Sequence, residues 1–127
     1  LARQLINQGA QVLLVPSLTM NERGAWRVEL CARARAVENQ VYVVASTNQT
    51  ELSIPVERNL KGVGRSGIYG PIDNKSRLVD GIVAVAEQAG DQLVVADLDL
   101  SILTDSQYIS EAPLRKHLEA RVKEEVK

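Results

Sequence analysis

Two short apolar runs, each preceded by a helical pattern, limit this chain to a layered arrangement of helices and strands. Val12–Val15 follows a short helical stretch and Gly9, and it ends at Pro16. Val41–Ala45 follows directly from a longer helical stretch. Short apolar runs bounded by turn residues predict strands that are buried on both faces. Because a helix leads into a strand twice in succession, the sequence predicts a mixed α/β fold.

The longest helical pattern lies between these two runs, from Ala25 to Asn39. Apolar residues recur there at helical spacing and predict one buried stripe: Trp26, Leu30, Ala34 and Val37. Ahead of the helix, Thr19 and Glu22 have the spacing of a capping box. Cys31, the only cysteine, lies within the helix with no histidine near it in sequence. Reactive cysteines need an exposed, electropositive setting, so we favour a buried structural cysteine over a nucleophile.

The pattern changes after Asn48. Residues 49–61 are polar and contain Pro55, which predicts an exposed loop. Turn residues then separate three predicted strands of an antiparallel meander: Ser66–Tyr69, Ile82–Ala86 and Leu93–Leu98. A last helix is predicted to begin near Pro113, since proline is favoured in the first helical turn. We see no second domain and treat residues 1–127 as one.

Charge and composition exclude several classes of protein. The 15 Lys and Arg residues nearly balance the 16 Asp and Glu residues, and a net charge of −1 argues against nucleic acid or an anionic membrane as a partner. No apolar run approaches the roughly 20 residues of a transmembrane helix. The single cysteine and the lack of a visible secretory signal predict a cytoplasmic protein. The chain starts at Leu1 inside an uncapped helical pattern, from which we expect further sequence upstream.

Three other features attract functional interpretations that we reject. Gly62–Gly67 spells a dinucleotide-binding fingerprint, but that motif needs a strand before it and a helix after it. Polar residues precede it and Gly70-Pro71 follows, so we predict a glycine-rich turn entering a strand and no cofactor. Asp97 and Asp99 have no third ligand nearby, which predicts solvated carboxylates and no metal site. His117 lies among Lys and Glu residues and is predicted to be a surface side chain.

Several stretches, in order, resemble the nitrilase superfamily of carbon–nitrogen hydrolases. They are Leu1–Ser17, Trp26–Val44, Gly64–Pro71 and Val95–Leu100. The most recognisable is the run Ala34–Gln40 followed by the strand Val41–Val44. The first stretch is similar to the segment just after the family's nucleophile, where a helix, a Gly-Ala turn and a strand ending in Pro-Ser follow the cysteine.

The resemblance implies a four-layer αββα sandwich, of which this chain would be the C-terminal portion. It extends to about Leu103, and residues 104–127 would form a tail and helix of their own. Family members pair through helices into homodimers. Their chemistry uses a Cys nucleophile, a Glu general base and a Lys that stabilises the tetrahedral intermediate. None of these three residues is matched in this sequence, so we expect the chain to contain no catalytic residue and to be inactive alone.

The same resemblance implies that the loops after the two early strands help to form the wall of the substrate pocket. Strand ends in α/β sheets tend to face ligand crevices. Our substrate-binding candidates are therefore Ser17, Leu18, Thr19 and Asn48. Ordinary loop capping by Ser, Thr and Asn is the alternative for these side chains.

The sequence therefore predicts part of a hydrolase acting on a non-peptide carbon–nitrogen bond of an amide, ureido compound or nitrile. Its partners would be the missing N-terminal half and a further copy of the protein, as a homo-oligomer. One alternative is a non-catalytic interaction module derived from a hydrolase half. A second is an unrelated small α/β ligand-binding domain.

Overall fold

A computed structural model describes residues 1–49, 51–53, 59–87 and 91–125. Its elements, in chain order, are helix α1 (Ala2–Asn7), strand β1 (Val12–Ser17), helix α2 (Glu22–Asn39), strands β2 (Tyr42–Thr47), β3 (Glu51–Ser53), β4 (Asn59–Lys61), β5 (Gly67–Tyr69) and β6 (Ile82–Val85), and helices α3 (Ile102–Tyr108) and α4 (Leu114–Glu125). In the part of the chain described, no helix has the length and apolar character needed to cross a membrane.

Four strands form one sheet in the order β1-β2-β5-β6. β1 and β2 run parallel, with Val12 opposite Tyr42 and Ser17 opposite Thr47. β2 and β5 are antiparallel, as are β5 and β6, which confirms the meander predicted for the latter two strands. A parallel pair needs a long crossover, and α2 provides it. The mixed α/β class predicted from the sequence is confirmed.

The core lies between α2 and this sheet. Its buried members come from both layers: Ile6, Ala32, Ala36, Val41, Val43, Ala45 and Tyr69. The side chains that α2 contributes are small. Alanine on the inner face allows the helix to approach the sheet closely, so most of the buried volume comes from the strands and from Ile6.

The prediction for the end of α1 is confirmed, whereas the prediction for the start of α2 is not. Gly9 follows α1 with φ of +98°, a conformation that favours glycine, as predicted. The capping box predicted for α2 is wrong. Asn21 is the N-cap residue, and its side chain accepts a hydrogen bond from the Gly24 backbone N–H at 2.8 Å. Thr19 instead contacts a distant segment of the chain.

The predicted buried stripe of α2 is also wrong. The exposed fractions of Trp26 and Leu30 are 55% and 56%, whereas Ala32 and Ala36 are buried. The hydrophobic periodicity predicted the helix correctly, but it placed the larger apolar residues in the core. The inner face is occupied by small residues, so the larger ones point outward. Cys31 lies next to this outer face and is exposed, which corrects the prediction of a buried cysteine.

Two further strand predictions need correction. β1 is not buried on both faces, because Leu14 is 75% exposed. Leu93–Leu98 forms no strand, although exposed and half-buried residues alternate along it. An extended segment is a strand only when a neighbour pairs with its backbone, and none of the described residues does so here. In β2, by contrast, Tyr42, Val43 and Ala45 are buried as predicted.

The polar region after Asn48 is more ordered than predicted. β3 and β4 pair there as an antiparallel ribbon, with Leu52 opposite Leu60. The loop prediction is therefore wrong at both ends of the region, while Pro55 lies outside the described residues.

Two buried glutamines, Gln40 and Gln107, help to hold the C-terminal helices. Gln40 follows α2 in a left-handed conformation with φ of 51°. Its side chain donates to Ala112 O at 3.1 Å and accepts from Leu114 N–H at 3.1 Å. Gln107 in α3 donates to Gln40 O at 3.1 Å. α4 begins next to Pro113 as predicted, whereas α3 was not foreseen.

Candidate functional site

A cavity lies at the end of the sheet where β1 and β2 both finish. The two strands are parallel, so their carboxyl ends meet at one edge, and Asn48 N–H donates to Ser17 O at 3.1 Å just beyond the last strand pair. The cavity has a volume of about 430 Å³. Its lining is mostly small or polar: Pro16, Ser17, Ser46, Thr47, Asn48, Gln49, Ser66, Ala86, Asp91 and Gln92. This is the position at which open α/β sheets bind ligands.

The glycine-rich segment closes one side of this cavity. A Cβ atom on Gly62 would lie 2.7 Å from Asn48 O, and one on Gly64 would lie 2.6 Å from Thr47 Cβ. Neither position has room for a side chain, so the glycines allow the segment to pack directly on the end of β2. The segment then enters β5, as predicted, with no helix after it.

Ser66 joins the glycine-rich segment to the strands on either side. Its hydroxyl accepts a hydrogen bond from Thr47 N–H at 3.1 Å, and its carbonyl oxygen accepts one from Ala86 N–H at 2.8 Å. The Thr47 hydroxyl is buried and has no hydrogen-bond partner among the described residues. The Ser66 hydroxyl is therefore fixed against the backbone of Thr47 in the wall of the cavity.

The structure separates the four predicted substrate-binding residues into two groups. Ser17 and Asn48 line the cavity, whereas Leu18 and Thr19 do not. Leu18 is 50% exposed. Thr19 O accepts from Val63 N–H at 2.7 Å, and the Thr19 hydroxyl donates to Val63 O. Thr19 therefore bridges two loops, and substrate binding by the four residues stays a prediction.

Sequence reasoning missed Thr47, Ser66 and Asp91 as cavity residues. Thr47 follows directly from the β1–β2 register, so a strand predicted to end two residues later would have included it. Ser66 was considered only as part of a dinucleotide motif. Asp91 reaches the cavity through β6, and no local sequence pattern indicates that placement.

A second cavity, of about 310 Å³, lies on the α2 side of the glycine-rich segment. Trp26, Glu29 and Arg65 are among its lining residues. Glu29 is buried, and both of its carboxylate oxygens accept hydrogen bonds from Arg65 Nη2 at 3.0 Å. Arg33 Nη1 lies 3.7 Å from the same carboxylate. Burial, together with the negative charge of Glu29, raises the pKa of Tyr69 to about 12.

The remaining candidates are surface groups. Cys31 borders an open apolar hollow between β1 and α2, together with Val15 and Val28. His117 is exposed, as predicted. Asp99 is exposed, and the hydrogen bonds that it accepts from the Ser101 hydroxyl and backbone N–H lower its pKa. Across the described ranges, no three His, Cys, Asp or Glu side chains form a group suited to a metal ion.

A parallel β1-α2-β2 unit with a polar cavity at its strand ends defines an α/β protein with a candidate ligand site at the sheet edge. More specifically, this chain belongs to the carbon–nitrogen hydrolase family, whose model matches residues 1–108. The chain is 38% identical over 104 residues to a probable hydrolase, YhcX, of Bacillus subtilis strain 168, an alignment that covers 81% of this chain. The predicted relationship to the nitrilase superfamily is confirmed.

Two solved structures share the fold. The NitFhit protein of C. elegans matches 85% of the chain with a TM-score of 0.66 and 30% identity. Saccharomyces cerevisiae Nit3, a member of branch 10 of the nitrilase superfamily, matches 84% of the chain with a TM-score of 0.63 and 27% identity. The nitrilase-like fold predicted from the sequence is therefore confirmed.

The chain spans only a part of each of these proteins. It covers 20% of the Bacillus hydrolase, 23% of the C. elegans protein and 35% of yeast Nit3.

Proposed function

We propose that this chain is the C-terminal portion of a hydrolase that cleaves a non-peptide carbon–nitrogen bond in a small amide, ureido compound or nitrile. The observation that carries the proposal is the polar cavity at the shared end of β1 and β2 in a member of the carbon–nitrogen hydrolase family. In this proposal the chain supplies part of the pocket wall. The nucleophilic Cys, the general-base Glu and the Lys belong to the portion of the parent protein upstream of Leu1.

The proposed chemistry has two steps. For an amide, the upstream thiolate adds to the carbonyl carbon, the carbon–nitrogen bond breaks, and ammonia or an amine leaves with the proton that the Glu took from the thiol. A nitrile first gives a thioimidate, to which one water adds before ammonia leaves. Water, deprotonated by the Glu, then attacks the thioester and releases a carboxylic acid and the free cysteine. The Lys stabilises the oxyanion of each tetrahedral intermediate.

Within that reaction, Ser17 and Asn48 are the residues proposed to contact the substrate. Both lie at the cavity, and the hydrogen bond from Asn48 N–H to Ser17 O holds the two loops together. Side-chain hydroxyl and amide groups suit a neutral amide, because they can donate to its oxygen and accept from its nitrogen. Thr47 and Ser66 extend the same polar surface.

The parent protein provides the test. Its reading frame, extended upstream of Leu1, should encode a cysteine shortly before Leu1 and a Glu and a Lys further back. The purified protein should release ammonia from short amides, and replacing that cysteine by Ala should abolish the release. If the upstream sequence lacks these residues, or if the intact protein hydrolyses none of these substrate classes, the chain is better described as a non-catalytic interaction module.

A matched pair of variants tests the pocket wall. Asn48→Ala in the extended protein should lower kcat/KM for its best amide by about tenfold, the loss expected when one hydrogen bond to substrate is removed. Asn7→Ala, at the exposed end of α1, serves as the control and should leave kcat/KM unchanged. Equal effects of the two variants, or a lower Tm that accounts for the loss in Asn48→Ala, would contradict a role in substrate binding.

We also propose that the parent protein forms a homo-oligomer through the outer face of α2. Trp26 and Leu30 are more than half exposed there and lie one helical turn apart, so they present adjacent apolar surface. Leu30→Glu should reduce the oligomeric mass measured by light scattering, whereas Arg23→Glu, an exposed substitution near the start of the same helix, should leave the mass unchanged. The single exposed thiol, Cys31, fits the proposed cytoplasmic location, where thiols stay reduced.

A further inference from the structure

The charge of the cavity at the end of β1 and β2 is one-sided. Its described lining has hydroxyl groups from Ser17, Ser46, Thr47 and Ser66 and amides from Asn48, Gln49 and Gln92. The one ionisable side chain in that lining is the Asp91 carboxylate. Lys and Arg are absent from the described residues that line the cavity, so the part of the wall that these residues supply carries charge of one sign.

The arginine that adjoins the cavity residue Ser66 in sequence binds a residue outside the cavity. Arg65 precedes Ser66, but its guanidinium donates to Glu29 and lines the separate cavity on the α2 side. The glycine-rich segment is extended here, so Arg65 and Ser66 are directed to opposite sides of it. The sequence thus places a positive charge next to the cavity and the fold directs it away.

We infer that the parent enzyme prefers a substrate that carries a positively charged amine in addition to the bond that is cleaved, and that Asp91 is the residue that selects it. This inference rests on the proposed function. Asp91 is exposed at the edge of the cavity. Its carboxylate attracts a cation that enters the cavity, and water and salt weaken that attraction. The same carboxylate repels a substrate whose second group is an anion, so one residue discriminates in both directions.

The neutral groups of the cavity are consistent with this preference. Hydroxyl and amide oxygens accept hydrogen bonds from an ammonium group, which has three donors and no acceptor. Ser17 and Ser66 can thus complete the hydrogen bonding of an ammonium held by Asp91. An anionic substrate would need several donors directed at one place, and a cationic side chain is the usual means of providing them.

The test compares three primary amides of equal chain length that end in an ammonium, a hydroxyl or a carboxylate group. Ammonia release by the extended parent protein gives kcat/KM for each. We expect the ammonium compound to exceed the carboxylate compound by at least about tenfold at low ionic strength, and we expect added salt to reduce that ratio. Asp91→Asn should remove most of the preference, so that kcat/KM for the ammonium compound falls to within about twofold of the value for the carboxylate compound. Asp97→Asn, an exposed carboxylate away from the cavity lining, should change none of the three values.

The possible outcomes separate this inference from the proposed function. Hydrolysis of all three amides at similar rates, or a preference for the carboxylate compound, would overturn the inference while leaving the hydrolase proposal intact. An equal loss on all three substrates in Asp91→Asn would show that Asp91 acts in folding and not in selection. If no amide, ureido compound or nitrile is hydrolysed, the proposed function fails, and the inference that rests on it fails as well.

Discussion

Removing the arginine from the Glu29–Arg65 ion pair should destabilise the fold more than removing the glutamate charge. Glu29 is 6% exposed, and its two oxygens each accept a hydrogen bond from Arg65 at 3.0 Å. In Arg65→Met the carboxylate stays buried and, among the described residues, keeps the Arg33 guanidinium at 3.7 Å as its one ion-pair partner. In Glu29→Gln no buried charge remains, and Arg65 can turn towards water because its side chain is already 43% exposed.

The expected loss in the free energy of unfolding follows from how deeply Glu29 and Arg65 are buried. Breaking a fully buried ion pair by removing one partner costs about 3–5 kcal/mol, whereas an exposed pair contributes about 0–1 kcal/mol. This pair lies between those limits, because one side chain is buried and the other is partly exposed to water. We expect Arg65→Met to lower the free energy of unfolding by about 1–3 kcal/mol and Glu29→Gln by about 1 kcal/mol or less.

The control is the exposed Arg35–Glu38 pair on the same helix, whose side chains are 49% and 44% exposed. Arg35→Met should cost less than about 0.5 kcal/mol. Urea unfolding followed by far-UV circular dichroism gives all three values from one assay. A cost for Arg65→Met that matches the cost for Arg35→Met, or that is smaller than the cost for Glu29→Gln, would refute the reasoning.

Three further changes test the packing around the sheet. Burial raises the pKa of Tyr69 from 10.0 to about 12, so its contribution to stability is fully present below pH 10.0 and is lost as the pH rises towards about 12. The loss should approach roughly 2–3 kcal/mol in urea unfolding at increasing pH, and Tyr69→Phe, which has no titrating group, should not show it. Gly67→Ala should lower the Tm with a cost of about 1–3 kcal/mol, because its Cβ would lie 2.7 Å from Tyr69 Cζ; an unchanged Tm would contradict this packing. Gln40→Ala should speed hydrogen exchange at the Leu114 amide and cost about 1–3 kcal/mol, since buried groups lose their partners; unchanged exchange would show that α4 is held by other contacts.

The sequence predicted best those elements that are specified locally. Gly9 and Pro113 mark helix boundaries through their own backbone conformations, so neighbouring residues suffice to place them. The strand β2 was predicted because a short apolar run bounded by turn residues is typical of a strand. These signals do not depend on which other part of the chain lies nearby.

The errors concern elements whose state depends on distant residues. Hydrophobic periodicity could not show that α2 packs through Ala32 and Ala36. The distance between a helix and its sheet depends on the side chains of both elements, and the pattern of the helix describes only one of them. Leu93–Leu98 has the alternation of a strand, but a strand requires a partner. The exposure of Leu14 has the same origin, since the sequence of β1 does not specify how many layers cover it.

The candidate site divides in the same way. Ser17 and Asn48 were predicted because parallel strands end at one edge of a sheet, a rule that needs only the strand order. Ser66 could not be placed so simply, since its position depends on the antiparallel register that sets Ala45 opposite Gly67. The position of Asp91 is still harder to predict from the sequence, because it depends on the pairing of β6 with β5.

The glycine-rich segment shows why a motif has to be interpreted through its structural context. Gly62 and Gly64 face the end of β2, where any side chain would collide with Thr47 or Asn48. Arg65 is directed to the opposite side and binds Glu29, and Ser66 accepts a hydrogen bond from the Thr47 backbone. Gly62 and Gly64 are thus explained by their close approach to Asn48 and Thr47, and Arg65 and Ser66 each by a specific partner. The spacing of a dinucleotide motif therefore arises here from packing requirements on the two sides of this segment. The same arrangement directs the Arg65 side chain away from the cavity beside Ser66.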